Sequence, residues 1–463
     1  MSHDEPTLTF DPAVLARWDR PGPRYTSYPT APCLDEGFDE AAYRAQAAQN
    51  RRLQGQEPIS LYVHLPFCEH LCFFCGCNKI VSHDRDRIDR YLDHLELEME
   101  RERDLHGARP VEQLHWGGGS PTWLDESQRE RLMSAIRGFF PIPGEDQAEV
   151  SIEADPRHLE PGAVRGLRAL GFNRISFGVQ DFDPSVQEAV NRIQPAELSL
   201  RALQEARDAG YLGTSVDLIH GLPGQTVPSF AETVTAVAEA GPDRISVFAY
   251  AHLPQMFKPQ RCIDASIIPT PDVKRELFRT AVEILTGSGY LALGMDHFVR
   301  ADDELAVAAR QGTMHRNFQG YSTRADRDLI ALGASAIGRT SQAYWQKEKH
   351  VPSWERLVAE GALPVVRGIA LTAEDGLRRR IITEIMCQMK LDFAPFEAEG
   401  GFDFRQRFAR ELALLAPMRD EGLVALDASG LRVQPLGRFV IKTIAGAFDG
   451  RTSPFSGAVQ AAN

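Results

Sequence analysis

No stretch of the chain reaches the run of about eighteen apolar residues that a helix needs to cross a bilayer, so membrane insertion is not expected. The opening residues, Met1-Ser-His-Asp-Glu-Pro6, lack the basic and then apolar layout of a secretory signal, which points to a cytoplasmic protein. Positive charge is in deficit. Against 64 Asp and Glu stand 51 Lys and Arg, a formal net charge of −13, and nucleic-acid binding rests on clustered cations against phosphate. A nucleic-acid partner is therefore not expected, although an acidic total leaves room for a local basic pocket. There is no internal repeat and no low-complexity segment, and 25% charged residues is not the charge excess of a disordered chain. Cysteine is scarce, seven in 463 residues, and in a reducing compartment these read as ligands or buried thiols before disulfides.

What is present is the composition of a soluble globular enzyme, 43% hydrophobic, in a chain long enough for a large α/β domain and a smaller one. Short apolar runs of strand length occur at 61–65, 113–116, 149–153, 174–179, 215–219, 244–250 and 290–294. Between them Ile88, Tyr91, Leu92, Leu95 and Met99 recur at helical steps, as do Phe230, Val234 and Val237, and Leu277, Phe278, Ala281, Ile284 and Leu285. Strands alternating with helices imply right-handed βαβ units and a parallel sheet, which with this many repeats curls into a partial or complete (β/α) barrel. Chemistry in such folds sits at the carboxyl ends of the strands. The unusual residues fall there: the cysteines after the first run, a triple glycine after the second, Glu153 ending the third, Gln180 after the fourth, and Tyr250 at the sixth. Expected boundaries are an N-terminal arm over 1–55, the barrel over 56–343, a smaller mostly helical domain over 344–447 and a disordered tail over 448–463. Within the helical domain, residues 423–435 predict a hairpin.

Four of the seven cysteines lie within ten residues, in Phe67-Cys68-Glu-His-Leu-Cys72-Phe-Phe-Cys75-Gly-Cys77, whereas Cys33, Cys262 and Cys387 are scattered singly. Closely spaced thiolates on one loop can hold several corners of an iron–sulfur cube. Ligation by Cys68, Cys72 and Cys75 leaves one iron open to take a substrate's amino and carboxylate groups. The competing reading is structural zinc, which usually pairs two close cysteines with a distant second pair of Cys or His; no such pair is found. Phe67, Phe73 and Phe74 surround the cysteines, either to shield a cluster or to anchor the loop. The triple glycine lets a ligand approach bare backbone, or simply makes a tight turn. Glu153, Gln180, Arg192 and Asp217 could bind ribose hydroxyls or a zwitterion at a barrel mouth, or could be ordinary paired surface groups.

With these residues in place the sequence resembles the radical S-adenosylmethionine superfamily, whose hallmark is this three-cysteine spacing with an aromatic before the last cysteine. Gly117-Gly-Gly-Ser-Pro-Thr122 and Gly221-Leu-Pro-Gly-Gln-Thr226 extend the match. More narrowly it resembles the oxygen-independent coproporphyrinogen III oxidase family, through Gly22-Pro-Arg-Tyr-Thr-Ser-Tyr-Pro-Thr-Ala31, Gly178-Val-Gln-Asp-Phe182, Val247-Phe-Ala-Tyr-Ala-His-Leu-Pro254, Gly294-Met-Asp-His-Phe298 and His315-Arg-Asn-Phe-Gln-Gly-Tyr321.

The resemblance implies a barrel of the radical S-adenosylmethionine type carrying a [4Fe–4S] cluster on Cys68, Cys72 and Cys75, with Cys77 not a ligand. S-adenosylmethionine on the cluster would touch Tyr62, Gly118, Glu153 and Ile337; the segment from Ile337 to Ser341 departs most from the family pattern. A second S-adenosylmethionine would touch Phe74, Gly119, Ser120, Gln180, Arg192, Asp217 and Ala251. The implied reaction is radical decarboxylation of two propionates of coproporphyrinogen III to vinyl groups, giving protoporphyrinogen IX in haem synthesis, with an unidentified electron donor and acceptor. A substrate with four carboxylates calls for cationic partners, and Arg24, Arg300, His315 and Arg316 are the candidates. A monomer is expected. The alternative function is that of the superfamily's haem-binding chaperones, which share the cluster but lack the fourth cysteine and the arm; Cys77 and the arm are both present.

Overall fold

The computed structural model describes residues 10–452 apart from 21, 319, 325 and 326. Its frame is one sheet of twelve strands: β1 Ile59–Leu65, β2 Val111–Gly118, β3 Glu149–Ala154, β4 Arg174–Gln180, β5 Gly213–His220, β6 Arg244–Ala249, β7 Tyr290–Leu293, β8 His297–Arg300, β9 Asp328–Leu332, β10 Ile337–Arg339, β11 Ala343–Lys347 and β12 Val365–Ala370. The spatial order is β12-β11-β10-β9-β1-β2-β3-β4-β5-β6-β8-β7. Strands β9 and β1 to β6 are all parallel, with Leu61 facing Ile330 on one side and Leu114 on the other; the strands beyond them at both ends run antiparallel.

Six of the expected strand runs take their places as parallel strands. The seventh, Tyr290–Leu293, is a strand but an antiparallel one at the sheet's end. The seventh parallel strand is β9, Asp-Leu-Ile-Ala-Leu, every residue of it buried, and its short apolar run carries no alternation to announce it. The pairing also continues past Ala343, because β11 and β12 remain in the sheet.

In β3 to β5 the alternation is regular, and it divides the sheet into two chemistries. Val150, Ile152, Ala154, Ile175 and Phe177 face outward into the apolar layer shared with the helices. The opposite face carries His115 beside Ser151, Glu153 beside Ser176, and Asp217 between Gly178 and Ser246. A concave face lined with polar groups is a binding surface rather than a core.

The helices are held by the stripes their sequences carry. Arg85–His106, started by the Asp84 carboxylate on the Arg87 N–H, buries Ile88, Tyr91, Leu92, Leu95 and Met99; each large apolar side chain so buried contributes about 1.5–3 kcal/mol. Val227–Ala240 opens with a Thr226–Ser229 capping box and buries Phe230, Val234 and Val237. The C-terminal part is mostly helical around Ala373–Gln388, and the expected hairpin is there, Val424–Leu426 against Gly430–Val433. Phe448 and Asp449 correct the expected disordered tail: Phe448 sits in the C-terminal core and Asp449 accepts the Tyr25 hydroxyl at 3.0 Å. Residues 453–463 of that tail lie outside the described residues.

The arm belongs to this C-terminal core. Leu15, Trp18, Tyr25 and Tyr28 pack into it, Trp18 Nε1 donates to Glu421 at 2.9 Å, and the Gly450 N–H donates to the Tyr28 hydroxyl at 3.0 Å. These anchors carry residues 23–32 across the mouth of the barrel.

Candidate active site

The cysteine loop leaves β1 and is pinned at both ends, because Phe67–Cys68 pairs in parallel with Ile80–Val81. Along its length the Phe73 N–H donates to Val190 O at 2.9 Å, Asn191 Nδ2 to Leu71 O at 2.8 Å, Lys79 Nζ to Cys75 O at 3.0 Å and Gln260 Nε2 to Phe74 O at 3.0 Å. His64 Nε2 lies 2.9 Å from Asn78 O and must donate to it, which leaves Nδ1 to accept from the Tyr62 hydroxyl at 3.1 Å. At the tip Gly76 lies under Phe257, where a Cβ would be 3.0 Å from the ring.

Cys68, Cys72, Cys75 and Cys77 border a cavity of about 170 Å3 at the carboxyl ends of β1 to β5. Burial pushes the Cys68 thiol up to about 12, although the Ser120 hydroxyl, 3.7 Å from its Sγ, works against this. Cys75 is held down at about 5 by its bond from the Cys77 thiol, and Lys79 adds to the effect. Cys72 is singled out. Arg157 Nη2 stands 3.5 Å and Arg192 Nη1 3.4 Å from its Sγ, and both guanidiniums are held by Asp155, at 2.6 and 3.1 Å. Burial opposes ionisation of Asp155, but the two arginines and His158 hold its carboxyl well below the usual carboxylate range.

The donor set fits an iron–sulfur cluster. Buried thiols beside two guanidiniums and a hydroxyl supply the N–H and O–H groups that stabilise a sulfur-rich anion. Among the described residues no three Cys, His, Asp or Glu side chains converge on a point suited to one metal ion, as the zinc reading requires, whereas the corners of a cube stand apart.

The triple glycine is explained by what presses on it. A Cβ on Gly117 would lie 2.7 Å from Glu153 Oε1, one on Gly118 2.6 Å from the His64 ring, and one on Gly119 2.7 Å from Phe67 O. Gly118 also has φ of +112°, which only glycine adopts readily. Its N–H donates to Glu153 Oε2 at 3.1 Å, and His115 Nε2 lies 3.2 Å from Oε1. Burial would raise the Glu153 carboxyl, but the His115 and Gly118 bonds hold it below its ordinary value. Asp217, taking the Ser176 hydroxyl at 3.2 Å, is pushed up to about 6 by burial, with the Glu153 charge adding to it. Gln180 turns the chain after β4 with a left-handed φ of 70°, the kind of backbone strain that gathers at sites.

Of the eleven expected S-adenosylmethionine contacts, Phe74, Gly118, Gly119, Ser120, Glu153, Gln180, Arg192 and Asp217 line this cavity. Tyr62 lies beside it, stacked on His115 with ring centroids 5.9 Å apart. Ala251 and Ile337 line a second, larger cavity of about 860 Å3, and Phe74 and Cys77 border both. The second cavity has an apolar and aromatic wall of Tyr250, Leu253, Met256, Phe257 and Phe318, and the arm closes its far side.

The cationic candidates separate. Arg24 lines the larger cavity, but its charge is matched by a salt bridge to Asp296. The other three are corrected. Arg300 is exposed at the amino end of β6, its N–H on Asp243 O at 3.0 Å. His315 and Arg316 lie on the hairpin of His315–Asn317 with Gly320–Ser322, around a small pocket with Ser60 at the amino end of β1. Arg316 there also feels the charge of Asp296, the carboxylate that holds Arg24. Asp155, Arg157, Lys349 and Arg367 were not foreseen. For the first two the signal was available, since they directly follow β3.

Against known proteins, the sequence matches the radical SAM superfamily over residues 62–237 and the HemN C-terminal domain over 371–440. The oxygen-independent coproporphyrinogen III oxidase of Escherichia coli K12 is 46% identical over 442 residues, covering 96% of this chain and 95% of that one. The chain belongs to the oxygen-independent coproporphyrinogen III oxidase family. The family's Pseudomonas aeruginosa member is 43% identical over 447 residues, 96% of each chain. The solved structure of coproporphyrinogen III oxidase (HemN) from Escherichia coli, a radical SAM enzyme, superposes with a TM-score of 0.90 over 96% of this chain and 99% of that one. Membership in this family extends the match beyond the cysteine loop to the arm, which covers the larger cavity, and to the C-terminal domain.

Proposed function

We propose that this enzyme oxidatively decarboxylates two propionate side chains of coproporphyrinogen III to vinyl groups, forming protoporphyrinogen IX for haem synthesis, as a monomer in the cytoplasm. The observation that carries the reading is the pair of joined cavities. A polar one ringed by four cysteines opens, at Phe74 and Cys77, into one of about 860 Å3 with an aromatic wall, large enough for a tetrapyrrole.

Cys68, Cys72 and Cys75 would hold a [4Fe–4S] cluster, which would supply the electron for cleaving a carbon–sulfur bond of S-adenosylmethionine. The chain's own residues do the rest by positioning. Glu153 and Asp217, inward on β3 and β5 with β4 between them, offer carboxylate oxygens to ammonium and hydroxyl groups, and Gly118 and Gly119 let the co-substrate lie on bare backbone. Arg192, half committed to Asp155, keeps Nη2 on Gly178 O at 2.6 Å and so fixes the cavity's wall. The arm and the Leu253–Phe257 segment exclude water from a radical that needs no acid or base but a correctly placed carbon–hydrogen bond. Each propionate loses one hydrogen atom to the 5′-deoxyadenosyl group, carbon dioxide leaves, and an external acceptor takes the remaining electron.

The test is an anaerobic reaction of the reconstituted enzyme with a reductant, S-adenosylmethionine and coproporphyrinogen III. Protoporphyrin after oxidation, with 5′-deoxyadenosine, supports the reading. 5′-deoxyadenosine without porphyrin product refutes the substrate. Neither product, from protein with its cluster intact, moves the function to haem handling without turnover.

A further inference from the structure

The larger cavity holds two cations that Glu348 and Glu36 offset only in part. Lys349 lies at its exposed rim and half-buried Arg367 behind it. Among the described residues neither makes a salt bridge, in contrast to Arg24, which faces the same cavity already paired with Asp296. Both are nonetheless built into the site. Arg367 Nε donates to Gln346 Oε1 at 2.7 Å, and Gln346 Nε2 donates to Ser335 O at 2.9 Å, so the guanidinium is oriented through a chain that ends on the cavity's own loop. Lys349 is tied to the cysteine loop by its carbonyl, which accepts from Asn78 Nδ2 at 3.0 Å.

Two like charges facing one part-buried space is a costly arrangement. Burial lowers both groups, Arg367 lowers Lys349 further, and Glu348 and Glu36 offset this only in part. An anion placed between them would remove the cost, and a planar guanidinium with a free edge suits a carboxylate. The rest of the wall is apolar and aromatic, so the anion belongs to a largely apolar molecule.

We propose that Lys349 and Arg367 form a carboxylate-binding pair that takes one propionate of the tetrapyrrole and so sets how the macrocycle is presented to the cysteine loop. This rests on the function proposed above. The probe is coproporphyrin III, the fluorescent oxidised form of the substrate, titrated anaerobically into the cluster-loaded full chain, with its tetramethyl ester as the uncharged control. Wild type is compared with Lys349→Gln, Arg367→Gln and Arg367→Lys. Each glutamine variant is expected to bind coproporphyrin III about tenfold more weakly, the loss of one charge-assisted hydrogen bond, with the ester unaffected and Arg367→Lys closer to wild type. In turnover the loss falls on KM rather than kcat. Lys349 is exposed, so Lys349→Gln decides the matter even if an Arg367 variant does not fold. Binding of the free acid unchanged in the glutamine variants, or acid and ester weakened alike, overturns the pair. If wild type neither binds coproporphyrin III nor decarboxylates coproporphyrinogen III, the proposed function falls, and this inference with it.

Discussion

Lys347→Met is expected to be among the most damaging single changes outside the site. Lys347 Nζ donates to Glu98 Oε1 at 2.6 Å and to Glu102, and all three side chains are 0% exposed. Glu102 also takes the Tyr43 hydroxyl at 2.6 Å, and Glu98 Oε2 takes the Gly333 N–H at 2.7 Å, at the start of the loop that carries Ser335 and Ile337 into the larger cavity. Methionine keeps the volume and removes the cation, leaving two buried carboxylates to face each other; breaking a buried pair in this way costs about 3–5 kcal/mol. The sign of the pH dependence follows. Burial opposes ionisation of Glu102, but Lys347 and His106 hold it from its ordinary 4.5 down to about 2. Its contribution is therefore complete above 4.5 and is lost as pH falls toward 2. In Lys347→Met the carboxyls protonate instead at higher pH, so the gap to wild type should narrow on mild acidification. Urea unfolding followed by tryptophan fluorescence reports locally, since Trp345 packs 4.6 Å from Tyr43 and Trp354 4.6 Å from Tyr91. Adding Glu98→Gln and Glu102→Gln should recover part of the loss. A loss under about 1 kcal/mol, or a gap that does not change with pH, refutes the reasoning.

Four further outcomes are expected. Gly117→Ala puts a Cβ 2.7 Å from Glu153 Oε1, so equilibrium dialysis should find weaker S-adenosylmethionine binding with iron content unchanged. Asp217 titrates at about 6; if its carboxylate binds the co-substrate, affinity rises several-fold between roughly pH 5 and pH 7, and Asp217→Asn flattens that profile. Arg157→Gln removes a donor 3.5 Å from Cys72 Sγ and should lower the cluster's reduction potential in a spectroelectrochemical titration, because such donors favour the more negative, reduced state. Cys77→Ser should keep the iron content of wild type, whereas Cys72→Ser should lose it.

The parallel sheet was readable because its strands alternate with helices whose apolar stripes fall at regular steps, and the cysteine spacing named the chemistry at once. What escaped depended on partners distant in the chain. Gly117 looked like any turn residue, since the group that forbids a side chain there, Glu153, comes from the next strand. β9 is five residues long and wholly buried, with no alternation, and a short hairpin rather than a helix directly precedes it. Glu98 and Glu102 lie on the same helix as the apolar stripe, and only the return of β11 supplies the Lys347 that lets them be buried. Where the cationic groups come to lie was illegible for the same reason. Arg300, His315 and Arg316 stood in family-like segments that lie at the amino ends of β6 and β1, while Lys349 and Arg367 come from strand and loop beyond Ala343, where helices were expected.

The central claim is that the joined cavities deliver a propionate carbon to a radical made from S-adenosylmethionine. The most direct measurement uses coproporphyrinogen III deuterated at the β-carbons of its propionates, with mass analysis of the 5′-deoxyadenosine formed. The account predicts deuterium in the 5′-deoxyadenosine in step with carbon dioxide release. Carbon dioxide released while the 5′-deoxyadenosine stays free of deuterium would contradict it.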